Sequence, residues 1–161
     1  PEDYFEMGFL LCRETKKPRE CGGCFDVPRR EEREVLAKYH CEACKEMEGV
    51  KPISIEQARV DIDSLCEEGS LFILRNLEDK IVCMANYRIT EEKAKIGMVY
   101  TPPQERGRGY AANLIYHMTN RLLADGRVPL LYTDYHYLPS NRAYQNAGYE
   151  DMGVLINFYC Q

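Results

Sequence analysis

The chain has 161 residues, of which 45% are hydrophobic and 29% are charged, and its formal net charge is −5. This length and composition exclude a disordered tail and a membrane protein, and they are enough for one domain with its own core. A mildly acidic chain with no dense basic stripe is a poor partner for nucleic acid, and no apolar run reaches the length of a membrane span. We expect residues 1–161 to form a single domain, and the start at Pro1 rather than Met leaves open that it is the C-terminal part of a longer protein.

Eight cysteines without a secretory leader pattern indicate free thiols in a reducing cytoplasm rather than a disulfide scaffold. Two pairs have the spacing of a tetrathiolate zinc site. The second pair lies in a segment with helical periodicity, where half-buried cysteines pack as small apolar residues. We therefore assign no metal ligand and keep one alternative, a zinc-stabilised interaction module. Its ligands would be Cys21, Cys24, Cys41 and Cys44.

The first half of the chain has the pattern of two short strands, two helices and an antiparallel meander. In chain order we predict strands at residues 7–12 and 25–27, helices at 29–47 and 54–69, and strands at 71–74, 81–89 and 95–100. Ser54 is a good N-cap, and Gln57 stands at the reciprocal position of a capping box. Alternation in the second meander strand predicts one shared face for Ile81, Cys83, Ala85, Tyr87 and Ile89.

The second half predicts a strand–helix–strand unit, then a short helix and a last strand. Pro102-Pro103 ends the third meander strand, because proline cannot continue a ladder. We predict helices at residues 109–124 and 140–147 and strands at 129–133 and 152–160. The long helix carries an apolar stripe of Ala111, Leu114, Ile115, Met118 and Leu122. A helix that crosses between two strands implies that they are parallel, so the fold is α/β with a mixed sheet.

The loop before the long helix, from Gln104 to Ala111, has the composition of an anion site. Gly107 and Gly109 let the backbone approach a ligand closely. The amide groups of the first helical turn point outward together, at the positive end of the helix dipole, and Arg106 adds positive charge, as does Arg108. The loop lacks the Gly-Lys-Ser/Thr ending of a Walker loop and the third glycine of the dinucleotide fingerprint.

Two motifs resemble those of the GNAT superfamily of acetyl-CoA-dependent N-acetyltransferases. Gln104-x-x-Gly107-x-Gly109 is similar to its Gln/Arg-x-x-Gly-x-Gly/Ala signature, which lies between a strand and a helix. Further along, the segment from Ser140 to Tyr149 resembles its second motif, an Asn, then a Tyr, then Gly-Tyr or Gly-Phe. The order of the predicted elements also follows the superfamily. The resemblance extends over nearly the whole chain, residues 7–160.

The resemblance implies a GNAT-like α/β domain with a mixed, mostly antiparallel central sheet flanked by helices and a local parallel strand–helix–strand unit. It also implies acetyl-CoA as the cofactor. In the superfamily the strand before the loop carries a bulge that pairs with the pantetheine arm, and the loop amides cradle the pyrophosphate. The implied cofactor-binding residues are Val99, Tyr100, Thr101, Gln104, Arg106, Gly107, Arg108, Gly109, Tyr110, Ala111 and Asn141.

Tyr144 is the catalytic residue that the resemblance implies, as the general acid that protonates the departing CoA thiolate. A neutral amine would attack the thioester directly, so no cysteine nucleophile is required. The general base stays open. His136 is the best placed of the three histidines, and its neighbours Tyr135 and Tyr137 either line an acceptor pocket or pack as ordinary aromatics.

The expected function is therefore transfer of an acetyl group from acetyl-CoA to an amine of a small molecule or a protein. We expect no nucleic-acid or membrane partner, and a homodimer stays open. A non-catalytic acyl-CoA-binding regulatory module and the zinc-stabilised module are the alternatives. Acidic residues of the first two helices and their connection either favour a cationic amine or form a solvated surface; they are Glu42, Glu46, Glu48, Glu56, Asp61 and Asp63.

Overall fold

The computed structural model describes residues 4–47, 49–134 and 138–158. Within these ranges the strands are β1 (Tyr4–Leu11), β2 (Cys24–Asp26), β3 (Leu71–Arg75), β4 (Ile81–Thr90), β5 (Lys93–Tyr100), β6 (Val128–Asp134) and β7 (Glu150–Phe158). The helices are α1 (Arg33–Glu46), α2 (Ile55–Glu68), α3 (Tyr110–Ala124) and α4 (Leu138–Asn146). Short 3₁₀ turns precede α1 at Arg30–Glu32 and α3 at Pro103–Glu105.

The strands form one seven-stranded sheet in the order β2-β3-β4-β5-β6-β1-β7. Among the described residues β5 and β6 are the one parallel pair, and every other neighbouring pair is antiparallel. The α/β class, the mostly antiparallel mixed sheet and the parallel strand–helix–strand unit are therefore confirmed. The sequence did not reveal the place of β1, which pairs with both β6 and β7 rather than with the meander.

The core lies on both faces of this sheet. On one face, buried residues of α3 and α4 pack against the strands, and the predicted stripe of α3 is confirmed, with Ala111 half-buried and its other members buried. On the other face, α1 and α2 cover Leu71, Ile73 and Met84. Ile81 belongs to this second face, because a bulge at Leu74/Arg75 shifts the register of β4. The prediction that Ile81 shares a face with Cys83 is wrong for that reason.

Helix α2 begins and ends as its sequence predicts. The Ser54 side chain accepts a hydrogen bond from the amide of Gln57, and Gly69 closes the helix in the left-handed conformation with φ 70°. The reciprocal half of the capping box is wrong, since the Gln57 side chain donates to Asp61 instead, at 2.8 Å. The Ser54 hydroxyl alone therefore caps the helix.

Residues 12–23, which we call the strap, connect β1 to β2 across the α3 and α4 side of the sheet. The amide of Cys12 donates to the carbonyl of Pro129 at 3.1 Å, and that of Lys16 donates to Ala147 at 3.0 Å. The hydroxyl of Thr15 lies 2.6 Å from the side-chain oxygen of Asn120 on α3. These contacts fix a segment whose sequence reads as an irregular surface connection.

No helix in the described part of the chain has the length and apolar character that crossing a bilayer would require.

Candidate active site

A cavity of about 620 Å³ opens where β5 and β6 stop pairing. Their parallel register runs from Lys93 and Val128 to Ile96 and Leu131, and the cavity lies beyond that last pair. Its walls come from the ends of β5 and β6, the last turn of α1, the loop before α3, and Tyr144 of α4. Strand ends that no longer pair with each other leave backbone groups available to an extended ligand.

A β-bulge forms one wall of this cavity. Met84 of β4 faces Tyr100 and Asn86 faces Gly97, so three steps along β5 match two along β4. The extra residue is accommodated at Met98, whose φ is 48°. This left-handed conformation is unusual for a residue with a side chain, and it turns the backbone of β5 towards the cavity.

The glycine loop, residues 104–109, leads from β5 into the N-terminus of α3. Gly107 has φ 80° and Gly109 has φ 82°, conformations that favour glycine strongly. Gly109 is the N-cap and provides no side-chain cap, so the first amides of α3 keep their donors for another partner. A Cβ at Gly107 would meet no protein atom within 4 Å, so the loop backbone faces open space. These features fit the phosphate groups of a nucleotide cofactor.

Most of the predicted cofactor residues line the cavity. They are Val99, Tyr100, Thr101, Arg106, Gly107, Gly109, Tyr110 and Ala111. Three others do not line it. Gln104 is exposed in the 3₁₀ turn, Arg108 lines a neighbouring cavity, and Asn141 is half-buried on α4. The loop and the bulge thus form one wall of the cavity, and cofactor binding by all eleven residues stays a prediction.

The Arg106 side chain is held away from the helix N-terminus. Its guanidinium donates to the carbonyl of Thr101 at 2.9 Å and to the carboxylate of Glu46 at 2.5 Å, and it lies over the ring of Tyr100. A direct role of this side chain toward phosphates stays a prediction. The guanidinium links the glycine loop to the last turn of α1.

Tyr144 lines the cavity from α4 and is 8% exposed. Burial raises the pKa of its phenol, and the nearby Cys83 thiol raises this pKa further, so the hydroxyl stays protonated at neutral pH. It has no hydrogen-bond partner among the described residues. A protonated, unpartnered hydroxyl at a cavity wall can donate a proton to a group bound there.

Cys83 lies behind this wall rather than in the cavity. Its thiol accepts a hydrogen bond from the hydroxyl of Thr101 at 3.3 Å, and burial raises its pKa to about 12. Such a thiol is not a nucleophile at neutral pH, because the thiolate is the reactive form. The described residues that line the cavity include no cysteine.

Two carboxylates near the glycine loop were not singled out by the sequence. Glu46 and Glu105 both line the cavity, and each pairs with a loop arginine, Glu46 with Arg106 and Glu105 with Arg108. Glu46 is one of many acidic residues on the first two helices, and no spacing distinguishes it from the others. Only the packing of α1 against the loop brings it to the site.

The histidine candidate cannot be compared with this geometry, since His136, Tyr135 and Tyr137 lie outside the described residues. His40 is buried between the first two helices. Its Nε2 lies 2.9 Å from the carboxylate of Asp61, and its Nδ1 lies 3.7 Å from the Cys44 thiol. This histidine joins α1 to α2 and does not line the cavity.

The two cysteine pairs are not brought together. Cys21 packs against the core on the α3 side of the sheet, whereas Cys41 packs against the core under α1 and α2. All cysteines in the described ranges are free, and no three His, Cys, Asp or Glu side chains there are grouped to hold a metal ion. The tetrathiolate hypothesis has no support from this geometry, because a zinc site needs its ligands to converge.

A model of the protein family described as FR47-like protein matches residues 75–155, about half of the chain. The chain belongs to the FR47-like family, within the GNAT superfamily. The matched residues include the bulge of β5, the glycine loop, α3 and Tyr144, whereas the strap, α1 and α2 lie outside them. The resemblance first seen in two short motifs is thus confirmed.

Solved structures confirm the GNAT fold at low sequence identity. A GNAT-family acetyltransferase from Colwellia psychrerythraea has a TM-score of 0.78 at 14% identity, over 96% of this chain and 56% of its own. A GNAT-family acetyltransferase from Bacillus anthracis has a TM-score of 0.66 at 16% identity, over 87% of this chain and 86% of its own. A ribosomal-protein-alanine N-acetyltransferase from Brucella melitensis has a TM-score of 0.68 at 13% identity, over 84% of this chain and 99% of its own.

The length that is shared differs between these structures. The chain spans between 50% and 62% of the length of four similar solved structures, of which the Colwellia protein is one. A comparison with curated protein sequences found no match. Family and fold together are those of the GNAT superfamily.

Proposed function

We propose that this GNAT chain transfers the acetyl group of acetyl-CoA directly to an amine of a small molecule or a protein. One observation carries the proposal: the glycine loop, the bulge of β5 and the Tyr144 hydroxyl all line the same cavity. A nucleotide-binding loop and a proton donor are thereby within reach of one extended ligand. The absence of a cysteine among the described lining residues is compatible with direct attack by the amine.

Different parts of the cavity wall would hold different parts of acetyl-CoA. The amides of the glycine loop and of the first turn of α3 suit the diphosphate, because they are donors at the positive end of a helix dipole. The backbone of Val99, Tyr100 and Thr101 suits the amide groups of the pantetheine arm, as an added strand beside the bulge. Asn141 is proposed to contact the same arm.

Acetyl-CoA, when bound, supplies the acyl group as a reactive thioester. Tyr144 holds a proton at its Oη, and because burial raises the pKa of this phenol, the proton is still present at neutral pH. That proton is the one that Tyr144 would give to a departing thiolate. The amine must be neutral to attack, and the base that takes its proton stays open, with His136 as one candidate.

The test is a transfer assay read by mass spectrometry, with acetyl-CoA and a panel of small amines and peptides. We expect one acetyl group per product amine and an equal amount of free CoA. Free CoA in place of acetyl-CoA is the control and should give no product. Mass detection is needed because the chain's own free cysteines would react with a thiol reagent.

The transfer assay, together with a binding measurement and a metal analysis, separates the alternatives. A non-catalytic acyl-CoA-binding module would bind acetyl-CoA without acetylating any amine in the panel. The zinc-stabilised module would contain about one zinc ion per chain after purification without added metal, which elemental analysis measures. Either result would contradict the proposal, the first by lack of turnover and the second by a different use of the chain.

A further inference from the structure

A second cavity, of about 690 Å³, lies between the strap and the glycine loop. The strap contributes Lys17 and Arg19, and the loop contributes Arg108 together with the backbone of Gly107 and Gly109. Both glycines also line the candidate-site cavity. The two cavities therefore meet at the loop, and a ligand whose phosphates lie on the loop can extend into both.

The backbone of the strap is held in place beside the loop. The side-chain amide of Asn113, in the first turn of α3, donates to the carbonyl of Arg19 at 2.9 Å and to that of Gly109 at 2.8 Å. A Cβ on Gly109 would lie 3.9 Å from the Cβ of Cys21. Together with the hydrogen bond from the Lys16 amide to the Ala147 carbonyl, these contacts hold the strap backbone before Lys17 and at Arg19.

The charge of this second cavity is positive in a chain whose net charge is −5. Lys17 pairs with Glu20 at 3.7 Å and Arg108 with Glu105 at 3.3 Å, and both cationic side chains are mostly exposed. The Lys17–Glu20 pair is exposed on both sides and therefore weak, so a phosphate group can replace the Glu20 carboxylate. Arg19 has no ion-pair partner among the described residues.

We propose that Lys17 and Arg19 bind the ribose 3′-phosphate of CoA and make the chain selective for 3′-phosphorylated CoA thioesters; this inference rests on the proposed function. The diphosphate needs donors along one stretch of backbone, which the glycine loop provides. A phosphate monoester carries two negative charges and has three acceptor oxygens, so it is best met by side-chain cations from the opposite wall. The strap is the wall that carries them.

The test is calorimetric titration at low salt with two ligands, acetyl-CoA and acetyl-dephospho-CoA, which lacks the 3′-phosphate. The unmodified chain should bind acetyl-CoA about tenfold or more tightly than acetyl-dephospho-CoA. The double variant Lys17→Ala/Arg19→Ala should lose this preference through weaker binding of acetyl-CoA alone. Binding of acetyl-dephospho-CoA should stay unchanged, because the variant removes groups that this ligand does not reach.

Two substitutions on the same chain serve as matched controls. Lys80→Ala removes an exposed lysine that pairs with Glu78 at 3.7 Å, as Lys17 pairs with Glu20. Arg13→Ala removes an exposed arginine of the strap that does not line the cavity. Neither control should change the ratio of the two affinities.

The possible failures are distinguishable. Equal affinity of the unmodified chain for both ligands, or equal losses for both ligands in the double variant, would overturn the 3′-phosphate site and leave the proposed function standing. No binding of either ligand by the unmodified chain would overturn the proposed function as well.

Discussion

The Tyr144 side chain is the residue on which the chemistry depends. It combines burial, a raised pKa and a hydroxyl that no described residue engages, and it lines the cavity that the glycine loop also lines. Its oxygen is not among the fully buried, unpartnered polar atoms of the described residues, so the hydroxyl reaches the cavity while the ring is buried. The hydroxyl is therefore better explained as a group kept for a ligand.

Tyr144→Phe should lower kcat at least about tenfold, since it removes only the proposed proton donor. The affinity for acetyl-CoA should change little, because the ring and its packing remain. Steady-state kinetics and calorimetry measure the two quantities separately. Tyr116→Phe is the control, as Tyr116 is a half-buried tyrosine of α3 that does not line the cavity, and it should leave kcat unchanged. An unchanged kcat for Tyr144→Phe would remove this residue from the mechanism.

Arg75 is a second residue with a large expected effect, on stability rather than activity. It is 3% exposed, and its guanidinium donates to Asp26 at 2.9 Å and to Glu32 at 2.6 Å. These bonds lower the pKa of both carboxyls below their ordinary values of 3.8 and 4.5. A lowered pKa stabilises the fold above the unfolded value, and this stabilisation is lost as the pH falls through the folded value.

Arg75→Met should lower the free energy of unfolding at about pH 7 by about 2–4 kcal/mol, because it leaves Glu32 half-buried without its partner. The difference from the unmodified chain should shrink at about pH 3, where the carboxyls are protonated in the variant. Urea denaturation at both pH values measures it. Arg59→Met, which breaks an exposed pair with Glu34, should cost about 1 kcal/mol or less. A difference that is the same at both pH values would contradict this account of Arg75.

At the scale of elements, the strap is the segment whose position most affects the site. Gly148, just after α4, has φ 108°, and a Cβ there would lie 2.5 Å from the carbonyl oxygen of Glu14 and 2.8 Å from the amide of Lys16. This close approach lets the strap lie against the end of α4. A glycine in the second GNAT motif thus has a packing reason that its sequence context alone does not reveal.

Gly148→Ala should destabilise the chain by about 2 kcal/mol more than Gly153→Ala. Both positions have a positive φ, which strains any side chain, but a Cβ at Gly153 would meet no atom within 4 Å. Urea denaturation compares the two variants directly. An equal loss in the free energy of unfolding for both variants would mean that the close contact between Gly148 and the strap does not affect stability.

The elements differ in how well the sequence predicted them. Helix α2 follows from its Ser54 cap and α3 from its apolar stripe, because these signals are local. The bulge of β5 was expected through the resemblance alone, since nothing in its residues favours a positive φ at Met98. The face of Ile81 was mispredicted because strict alternation fails where a bulge shifts the register.

At the scale of the whole molecule, the place of β1 could not be read from the sequence. The first strand of the chain lies between β6 and β7, near the end of the sheet opposite to β2, which follows it directly in sequence. Pairing between distant strands depends on contacts across the whole chain, and local patterns do not record them. The strap follows from this placement, because the chain must return from β1 to the far edge of the sheet.

The candidate site was predictable to the extent that it is built from backbone. The glycine loop and the strand before it are a contiguous segment with a recognisable pattern, and they line the cavity as expected. The carboxylates of Glu46 and Glu105, the side-chain role of Arg106 and the strap cations depend on packing between distant segments. No spacing along the sequence indicates them.

Hydrogen exchange of the chain with and without acetyl-CoA tests the central claim most directly. Saturating acetyl-CoA should slow exchange at residues 97–101 and 107–112, because these residues line the candidate-site cavity or belong to the first turn of α3 and the loop before it. Exchange in α2, which does not line the cavity, should stay the same. Unchanged exchange at both segments, or protection confined to other parts of the chain, would contradict the claim that this cavity binds the cofactor.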